Sequence, residues 1–244
     1  MIRFILVVVF VISFLIFSIP LLIAEWILGH FNQELKNTSS LAIVNWGFRQ
    51  CLKITGVKVT VLGEENIPKD RAVLYVANHR SFFDILLTYV RVPGPTGYIS
   101  KKEMEKFPLL RNWMRNLHCL FLDRGNIKQG LQTILAGIEK LKNGISIFVF
   151  PEGTRNKEND SFLPFHAGSF KLAEKSGCPI IPIAMNNTAG IFEDHFPKIK
   201  KAHVVIEYGK PIELDTLSAD DKKNLAVYVS DQIKDMYLKN KALV

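Results

Sequence analysis

Residues 127–150 read IKQGLQTILAGIEKLKNGISIFVF, a helical pattern that leads directly into a short apolar segment. Residues 127–142 have the pattern of a helix, and Asn143–Gly144 provides a helix end. Residues 145–150 are apolar except for Ser146, as expected for a strand that is buried on both faces of a sheet. A helix followed at once by a buried strand predicts an α/β fold.

The same alternation continues on both sides of this unit. Strands are predicted at 57–62, 72–77, 98–100, 119–122, 180–184 and 204–208. Helices are predicted at 81–90, 101–117 with an interruption at Pro108, 167–176, and from Ser218 onward, where Asp221 completes a capping box. Strands separated by helices predict a single α/β domain with a mixed, mostly parallel central sheet flanked by helices.

The first part of the chain has a different composition. Residues 4–24, FILVVVFVISFLIFSIPLLIA, contain no charged residue. As one helix they would span about 32 Å, close to the roughly 30 Å hydrocarbon core of a bilayer. The run exceeds the apolar part of a typical signal peptide, and LLIAEW is a poor cleavage site. We therefore predict a retained hydrophobic membrane anchor at the N-terminus.

Two features leave the arrangement of this anchor open. Pro20 would allow the run to bend rather than cross the bilayer. Residues 39–54 predict a second, amphipathic helix, which would lie in the membrane interface or pack on the protein core. The charges on either side of the apolar run favour the N-terminus on the cytoplasmic side of the membrane and the following domain on the outer side. Three cysteines without a disulfide pattern instead favour a reduced, cytosolic domain. We expect a membrane location with the active site facing the cytoplasm.

The charge of the chain predicts an anionic partner. Lysines and arginines number 31 against 23 acidic residues, for a net charge of +8. Residues 97–128 alone contain seven basic and three acidic residues, a local charge of +4. This suits a phosphate group or an anionic membrane face. Nucleic acid is disfavoured, because the aromatic residues do not interleave with the basic ones.

Residues 76–84, VANHRSFFD, contain the first candidate for chemistry. In a continuous helix, residues five apart differ by about 140° around the axis, so His79 and Asp84 would not meet. They would meet if His79 lay on the loop after the strand and Asp84 in the first helical turn, with Ser81 as the N-cap. Alternatively, Ser81 and Asp84 form only a capping box. No G-x-S-x-G motif is present, so a histidine base would act on a hydroxyl group of the substrate.

Two further strands also end in polar residues. FLDRG occupies residues 121–125, and FVFPEGTR occupies 148–155. Ligands of open α/β sheets bind beyond the carboxyl ends of the strands, where His79, Arg124, Glu152 and Arg155 would gather. A tight turn at Pro151 and a surface ion pair at Asp123–Arg124 are the alternatives.

These motifs resemble those of the glycerophospholipid acyltransferase family, and in particular the 1-acyl-glycerol-3-phosphate acyltransferases. NHRSFFD resembles the family's N-H-x-x-x-x-D motif, and SKKEMEKFPLLRNWMRNLHCLFLDR resembles its second block. FPEGTR, with FHAGSFKLA after it, resembles the third block and CPIIPIA the fourth. The resemblance covers roughly residues 56–210 and preserves the order of the four motifs. It divides the chain into membrane-anchoring helices at 1–55 and an acyltransferase domain at 56–244.

The resemblance implies an acyl transfer without a cofactor or metal. The acceptor would be a lysophospholipid, 1-acyl-glycerol-3-phosphate with a free sn-2 hydroxyl, and the donor acyl-CoA or acyl-ACP (acyl carrier protein). His79 would be the general base and Asp84 its orienting partner; the predicted substrate-binding residues are Lys101, Arg124, Glu152, Gly153, Thr154 and Arg155. The oxyanion needs hydrogen-bond donors, and backbone N–H groups near the His79 turn are candidates. The alternatives are another acceptor, namely a different lysolipid or glycerol-3-phosphate, or a non-catalytic protein that binds anionic membrane lipids.

Overall fold

A central β-sheet carries the fold and lies between two layers of helices. The computed structural model describes residues 1–158 and 161–244. Within them, the strands are β1 Lys58–Leu62, β2 Leu74–Ala77, β3 Thr96–Lys101, β4 Leu120–Leu122, β5 Ser146–Val149, β6 Ile180–Asn186 and β7 His203–Tyr208. Their order is β1-β7-β6-β2-β5-β3-β4. All neighbouring pairs are parallel except β6–β7, which confirms the predicted mixed, mostly parallel sheet.

The helices follow the predicted alternation with shifted ends. They are α1 Ile2–Phe17, α2 Ile19–Phe31, α3 Gln33–Thr55, α4 Phe83–Tyr89, α5 Pro108–Asn116, α6 Ile127–Lys142, α7 Lys171–Ser176, α8 Ala219–Lys223 and α9 Leu225–Asn240. The predicted helix at 101–117 is a 3-10 turn followed by α5, because Pro108 begins α5 at a position that suits proline. The predicted final helix is divided at Asn224 into α8 and α9.

The central strand β2 is buried on both faces. Successive side chains of a strand point to opposite sides, so Tyr75 joins the cluster formed with α3, α4 and α5. Leu74 and Val76 join the cluster formed with α6, α7 and α9. The carboxyl ends of β2 and β5, which are neighbours, therefore open at the same edge between the two helix layers.

The N-terminal apolar run forms two helices rather than one. α1 and α2 meet at an angle of 48°, and Pro20 lies in the first turn of α2. Among the described residues, no single helix is long and apolar enough to cross a membrane. Taken together, the bent pair of α1 and α2 has the required length and apolar composition. Many apolar side chains of this bent helix pair are exposed, including Ile2, Phe17 and Phe31. The membrane anchor stays a prediction.

The second predicted helix packs on the core. In α3, Leu41 and Val44 are buried, and Phe48 and Leu52 pack against the same cluster. Of the two alternatives, packing on the protein is the one observed for this face. Both ends of α3 are capped. The Asn32 side chain accepts a hydrogen bond from the N–H of Leu35 at its start, and Gly56 adopts a left-handed conformation with φ of 69° at its end.

Polar contacts attach the bent pair of α1 and α2 to the rest of the protein. The Trp113 indole donates a hydrogen bond to Oγ of Ser18 at 2.9 Å. Ser39 and Ser40 donate to Oε2 of Glu25 at 3.0 and 2.9 Å. Because Ser18 and Glu25 are both buried, these hydrogen bonds satisfy groups that would otherwise be costly to bury.

The three cysteines behave as small buried side chains. Cys51, Cys119 and Cys178 are all free and buried. Burial raises the pKa of the Cys51 thiol to about 11, and it also raises the pKa of Cys119 and Cys178. Thiols with raised pKa values are poor nucleophiles at neutral pH.

Candidate active site

Asn78 fixes the point at which the chain leaves the sheet. Its amide nitrogen donates to the carbonyl of Met185 at 2.9 Å, and its amide oxygen accepts from the N–H of Met185 at 2.8 Å. The side chain thus pairs with β6 as a strand backbone would. The next residue, His79, therefore leaves the edge of the sheet from a rigid position.

His79 and Asp84 are in direct contact. Nδ1 of His79 lies 2.8 Å from Oδ2 of Asp84, whose side chain is fully buried. The same oxygen accepts hydrogen bonds from the N–H groups of Arg80 and Ser81, both at 2.8 Å. Asp84 therefore serves both predicted purposes, as a partner of the histidine and as a cap of the turn.

The turn differs from the predicted cap in one respect. α4 begins at Phe83, two residues later than predicted, and Phe82 occupies the N-cap position. Ser81 still contributes, because its hydroxyl accepts from the N–H of Phe83 at 3.0 Å. The chain bends between His79 and Phe83, and this bend brings Asp84 back to the imidazole.

The imidazole is oriented by an aromatic ring as well as by the carboxylate. Phe150, at the end of β5, stacks on His79 with ring centroids 4.1 Å apart. With Nδ1 donating to Asp84, Nε2 is the nitrogen that is available to accept a proton. The His79 side chain is 16% exposed, so this nitrogen sits in a site that is largely shielded from water.

Glu152 connects the loop after β5 to the histidine. Its Oε1 accepts from the N–H of His79 at 2.7 Å, and its Oε2 accepts from the N–H of Leu163 at 3.2 Å. Burial raises the pKa of the Glu152 carboxyl, and these hydrogen bonds act in the opposite direction. The sequence interpretation placed Glu152 against the substrate. The structure places it inside the wall of the site, where it supports the backbone.

Gly153 allows the loops after β4 and β5 to approach each other. It has a φ of +70°, and a Cβ added there would lie 3.3 Å from the His166 ring and 3.6 Å from Cζ of Arg124. Arg124 therefore lies against this loop, as expected for polar residues at the ends of parallel strands. Thr154 is exposed beside it.

Arg155 is held by a residue that the sequence interpretation missed. Its Nη1 lies 3.0 Å from Oε1 of Glu193, and its guanidinium carbon lies 3.6 Å from the centroid of the Phe82 ring. Glu193 lies in a 3-10 turn after β6, where no motif or periodicity pointed to it. Lys101 is exposed at the end of β3 and makes none of these contacts within the described residues.

The backbone of the histidine turn is fully occupied. The N–H groups of residues 79 to 83 donate in turn to Glu152, Asp84, Asp84, Glu193 and Ser81. The sequence made these groups candidate donors to an oxyanion, and in this structure each of them already has an acceptor. Their role here is to hold the turn.

The His79–Asp84 pair lies at the open edge of the α/β sheet, and Arg124 and Arg155 lie on the loops that follow β4 and β5. A histidine held by a carboxylate in this way is suited to act as a general base. The chain belongs to the acyltransferase family, whose sequence model matches residues 58–186. This confirms the family predicted from the four motifs.

Individual relatives are similar over most of this chain. It is 33% identical to a 1-acyl-sn-glycerol-3-phosphate acyltransferase of Saccharomyces cerevisiae over 74% of this chain, but that match spans only 60% of the yeast protein. It is 31% identical to the protein of the same name from Borreliella burgdorferi over 76% of this chain and 75% of the relative. The crystal structure of the 1-acyl-sn-glycerophosphate (LPA) acyltransferase PlsC from Thermotoga maritima superposes with a TM-score of 0.83 at 27% identity, covering 99% of this chain and 97% of that one.

Proposed function

We propose that the protein transfers an acyl group from acyl-CoA or acyl-ACP to the free sn-2 hydroxyl of a 1-acyl-glycerol-3-phosphate, giving phosphatidic acid. The observation that carries this proposal is the 2.8 Å contact between His79 and Asp84, which leaves Nε2 as a base at the open edge of the sheet. The names of the relatives support the choice of acceptor.

His79 would act as the general base. Its Nε2 takes the proton of the acceptor hydroxyl while that oxygen attacks the thioester carbonyl. The carboxylate of Asp84 stabilises the imidazolium that forms and keeps the ring in the required tautomer. The attacking oxygen comes from the lipid, so the reaction needs neither an enzyme nucleophile nor a cofactor or metal.

The tetrahedral intermediate then collapses. Its carbon–sulfur bond breaks, the new ester remains on the glycerol, and the thiolate leaves. The imidazolium of His79 returns its proton to the leaving thiolate, which balances the reaction and restores the neutral base. The oxyanion would be stabilised by donors outside residues 79–83, because the N–H groups of those residues already have acceptors.

The phosphate of the acceptor would bind to Arg124 and Arg155. A guanidinium presents parallel N–H donors that match phosphate oxygens, and both arginines belong to loops beside His79. Lys101 and Thr154 are exposed at ends of neighbouring strands and would add contacts at the periphery. Recognition of phosphate would select a phosphorylated acceptor over a neutral glyceride.

A membrane location would deliver the lipid acceptor to this site. Many apolar side chains of α1 and α2 are exposed, and burying them in a bilayer would be strongly favourable. We propose that α1 and α2 anchor the protein and that the site faces the cytoplasm, where acyl-CoA and acyl-ACP are found.

The test is a thiol-release assay in mixed micelles with palmitoyl-CoA or palmitoyl-ACP as donor. The acceptors are 1-acyl-glycerol-3-phosphate, glycerol-3-phosphate, a lysophosphatidylcholine and a neutral 1-acylglycerol. We expect the first to be used most efficiently, and we expect His79→Ala to lower its rate by at least about a hundredfold. Near-normal turnover in His79→Ala would overturn the mechanism. Equal use of the neutral acceptor would overturn the proposed selection for phosphate.

A further inference from the structure

We propose that Glu193 is a positioning residue that holds Arg155 at a fixed place relative to His79. One carboxylate joins two loops that are far apart in sequence. Its Oε2 accepts from Oγ of Ser81 at 2.7 Å, and its Oε1 accepts from the N–H of Phe82 at 2.8 Å. The same Oε1 pairs with Arg155 at 3.0 Å. The proposal rests on the acyl transfer to a phosphorylated acceptor proposed above.

The contact to residues 81 and 82 fixes Glu193 to the turn that carries the base. Ser81 and Phe82 lie between His79 and Asp84, and the N–H of Ser81 is itself bound by Asp84. The carboxylate of Glu193 is therefore placed relative to the imidazole by a short run of hydrogen-bonded backbone. The position of Glu193 relative to His79 is therefore set by residues 79–84 themselves.

Arg155 receives its position from the same turn. Its guanidinium lies over the Phe82 ring, with 3.6 Å between the guanidinium carbon and the ring centroid. Stacking sets the plane of the guanidinium and the ion pair with Glu193 sets its rotation in that plane. A guanidinium carries five N–H donors, so the use of Nη1 leaves other donors for a phosphate.

This arrangement would matter for an acceptor with two recognition points. The acceptor 1-acyl-glycerol-3-phosphate must present its phosphate to Arg155 and its hydroxyl to Nε2 of His79 at the same time. Because both groups are anchored to residues 79–84, the distance between them is preset, and little conformational freedom is lost on binding. Without Glu193, the Phe82 ring alone would not fix the rotation of the Arg155 guanidinium.

The exposure of the pair bounds the size of the effect. The Arg155 and Glu193 side chains are 36% and 21% exposed, so the ion pair is partly screened by water. We expect Glu193→Gln to weaken binding of the phosphorylated acceptor by about tenfold, the range of one charge-assisted hydrogen bond. The turnover number should change by less than about threefold, because Asp84 keeps its contacts with His79.

The experiment measures both turnover and binding in the full-length protein. Thiol release gives KM and kcat for 1-acyl-glycerol-3-phosphate and for neutral 1-acylglycerol. Calorimetry in mixed micelles, without any thioester, gives the affinity for 1-acyl-glycerol-3-phosphate. The variants are Glu193→Gln, Glu193→Asp, Arg155→Ala and the double variant of Glu193→Gln with Arg155→Ala. Asp194→Asn is the matched control, since it removes the same charge from the adjacent exposed residue.

A positioning role predicts a specific pattern. Glu193→Gln raises KM and weakens binding only for the phosphorylated acceptor, Glu193→Asp recovers part of the loss, and Glu193→Gln adds nothing to Arg155→Ala. Asp194→Asn resembles the wild type. Equal losses with both acceptors, or losses that multiply in the double variant, would overturn the proposal. Binding that depends on Glu193 without any thiol release would contradict the proposed reaction but support the role of Glu193.

Discussion

Oε1 of Glu152 accepts a hydrogen bond from the backbone N–H of His79 at 2.7 Å. The two residues belong to the loops that follow the neighbouring strands β5 and β2. The contact therefore fixes the backbone of His79 relative to the loop that follows β5. It requires a carboxylate in a buried position, and burial raises the pKa of that carboxyl above its usual value of 4.5. The consequence is a measurable pH dependence.

We predict that Glu152→Gln changes the pH dependence of stability. Since the pKa of Glu152 is raised in the folded protein, its proton binds more tightly there than in the unfolded chain. The resulting contribution to the free energy of unfolding is present below pH 4.5 and is lost as pH rises through the raised pKa. The glutamine has no such loss. The stability of Glu152→Gln relative to the wild type should therefore increase as pH rises from about 4 to 7. Urea denaturation in detergent at several pH values measures it, and a constant difference would contradict it.

We predict that Asp84→Asn removes most of the activity. The amide lacks the charge that stabilises the imidazolium, and it changes the tautomer that the ring adopts. A loss of about a hundredfold to ten-thousandfold in kcat is expected by comparison with other histidine–aspartate pairs. Asp221→Asn is a matched control, because Asp221 also follows a serine by three residues at a helix start and contacts it at 2.7 Å, but in α8. An Asp84→Asn protein with near wild-type kcat would refute a role in catalysis.

We predict that Gly153→Ala lowers both stability and activity. Gly153 has a φ of +70°, and its added Cβ would meet the His166 ring at 3.3 Å. We expect a loss of about 1–3 kcal/mol in the free energy of unfolding and a shift of the loop that carries Glu152 and Arg155, because the strained backbone and the His166 ring must both adjust. Gly168→Ala is the matched control, since no atom lies within 4 Å of its Cβ position and its φ is ordinary. Thermal unfolding and thiol-release kinetics on both variants make the comparison, and equal behaviour of the two would contradict the prediction.

Much of the fold was predictable because its signals are local. α6 was predicted with its observed bounds Ile127–Lys142, because both its ends carry residues that favour a start and a stop. The buried strands were also recognisable from composition, since a strand between two helix layers must be apolar on both faces. Where strands end, polar residues reveal the edge that holds the site.

The missed features depend on contacts that are distant in sequence. The bend near Pro20 was one of the alternatives that the sequence left open, but the contact that it allows, in which Trp113 donates to Ser18, was not predicted because no local pattern reports it. Glu193 follows the last motif and sits in a short 3-10 turn, so only the folded chain brings it to Arg155. The inward orientation of Glu152 likewise depends on the backbone of another loop.

The final prediction concerns His118, which links α3 to α6. It adopts a left-handed conformation with φ of 60°. Its Nε2 lies 2.9 Å from Oδ1 of Asn37, and its Nδ1 lies 3.4 Å from Nζ of Lys140. The neutral ring with its proton on Nε2 satisfies both contacts. Burial, with the positive charges of Lys140 and Lys36, lowers the pKa of His118 to about 4.

This shift predicts acid sensitivity that His118→Asn removes. Because the folded pKa lies below the unfolded value of 6.5, the stabilising contribution is present above pH 6.5 and is lost as pH falls through about 4. The wild type should lose about 3 kcal/mol more than His118→Asn between pH 7 and 4. Asparagine tolerates the left-handed conformation, so the variant should fold. Urea denaturation of both proteins in the same detergent tests this, because all other titrating groups are shared. Parallel stability curves would show that His118 does not titrate differently on folding.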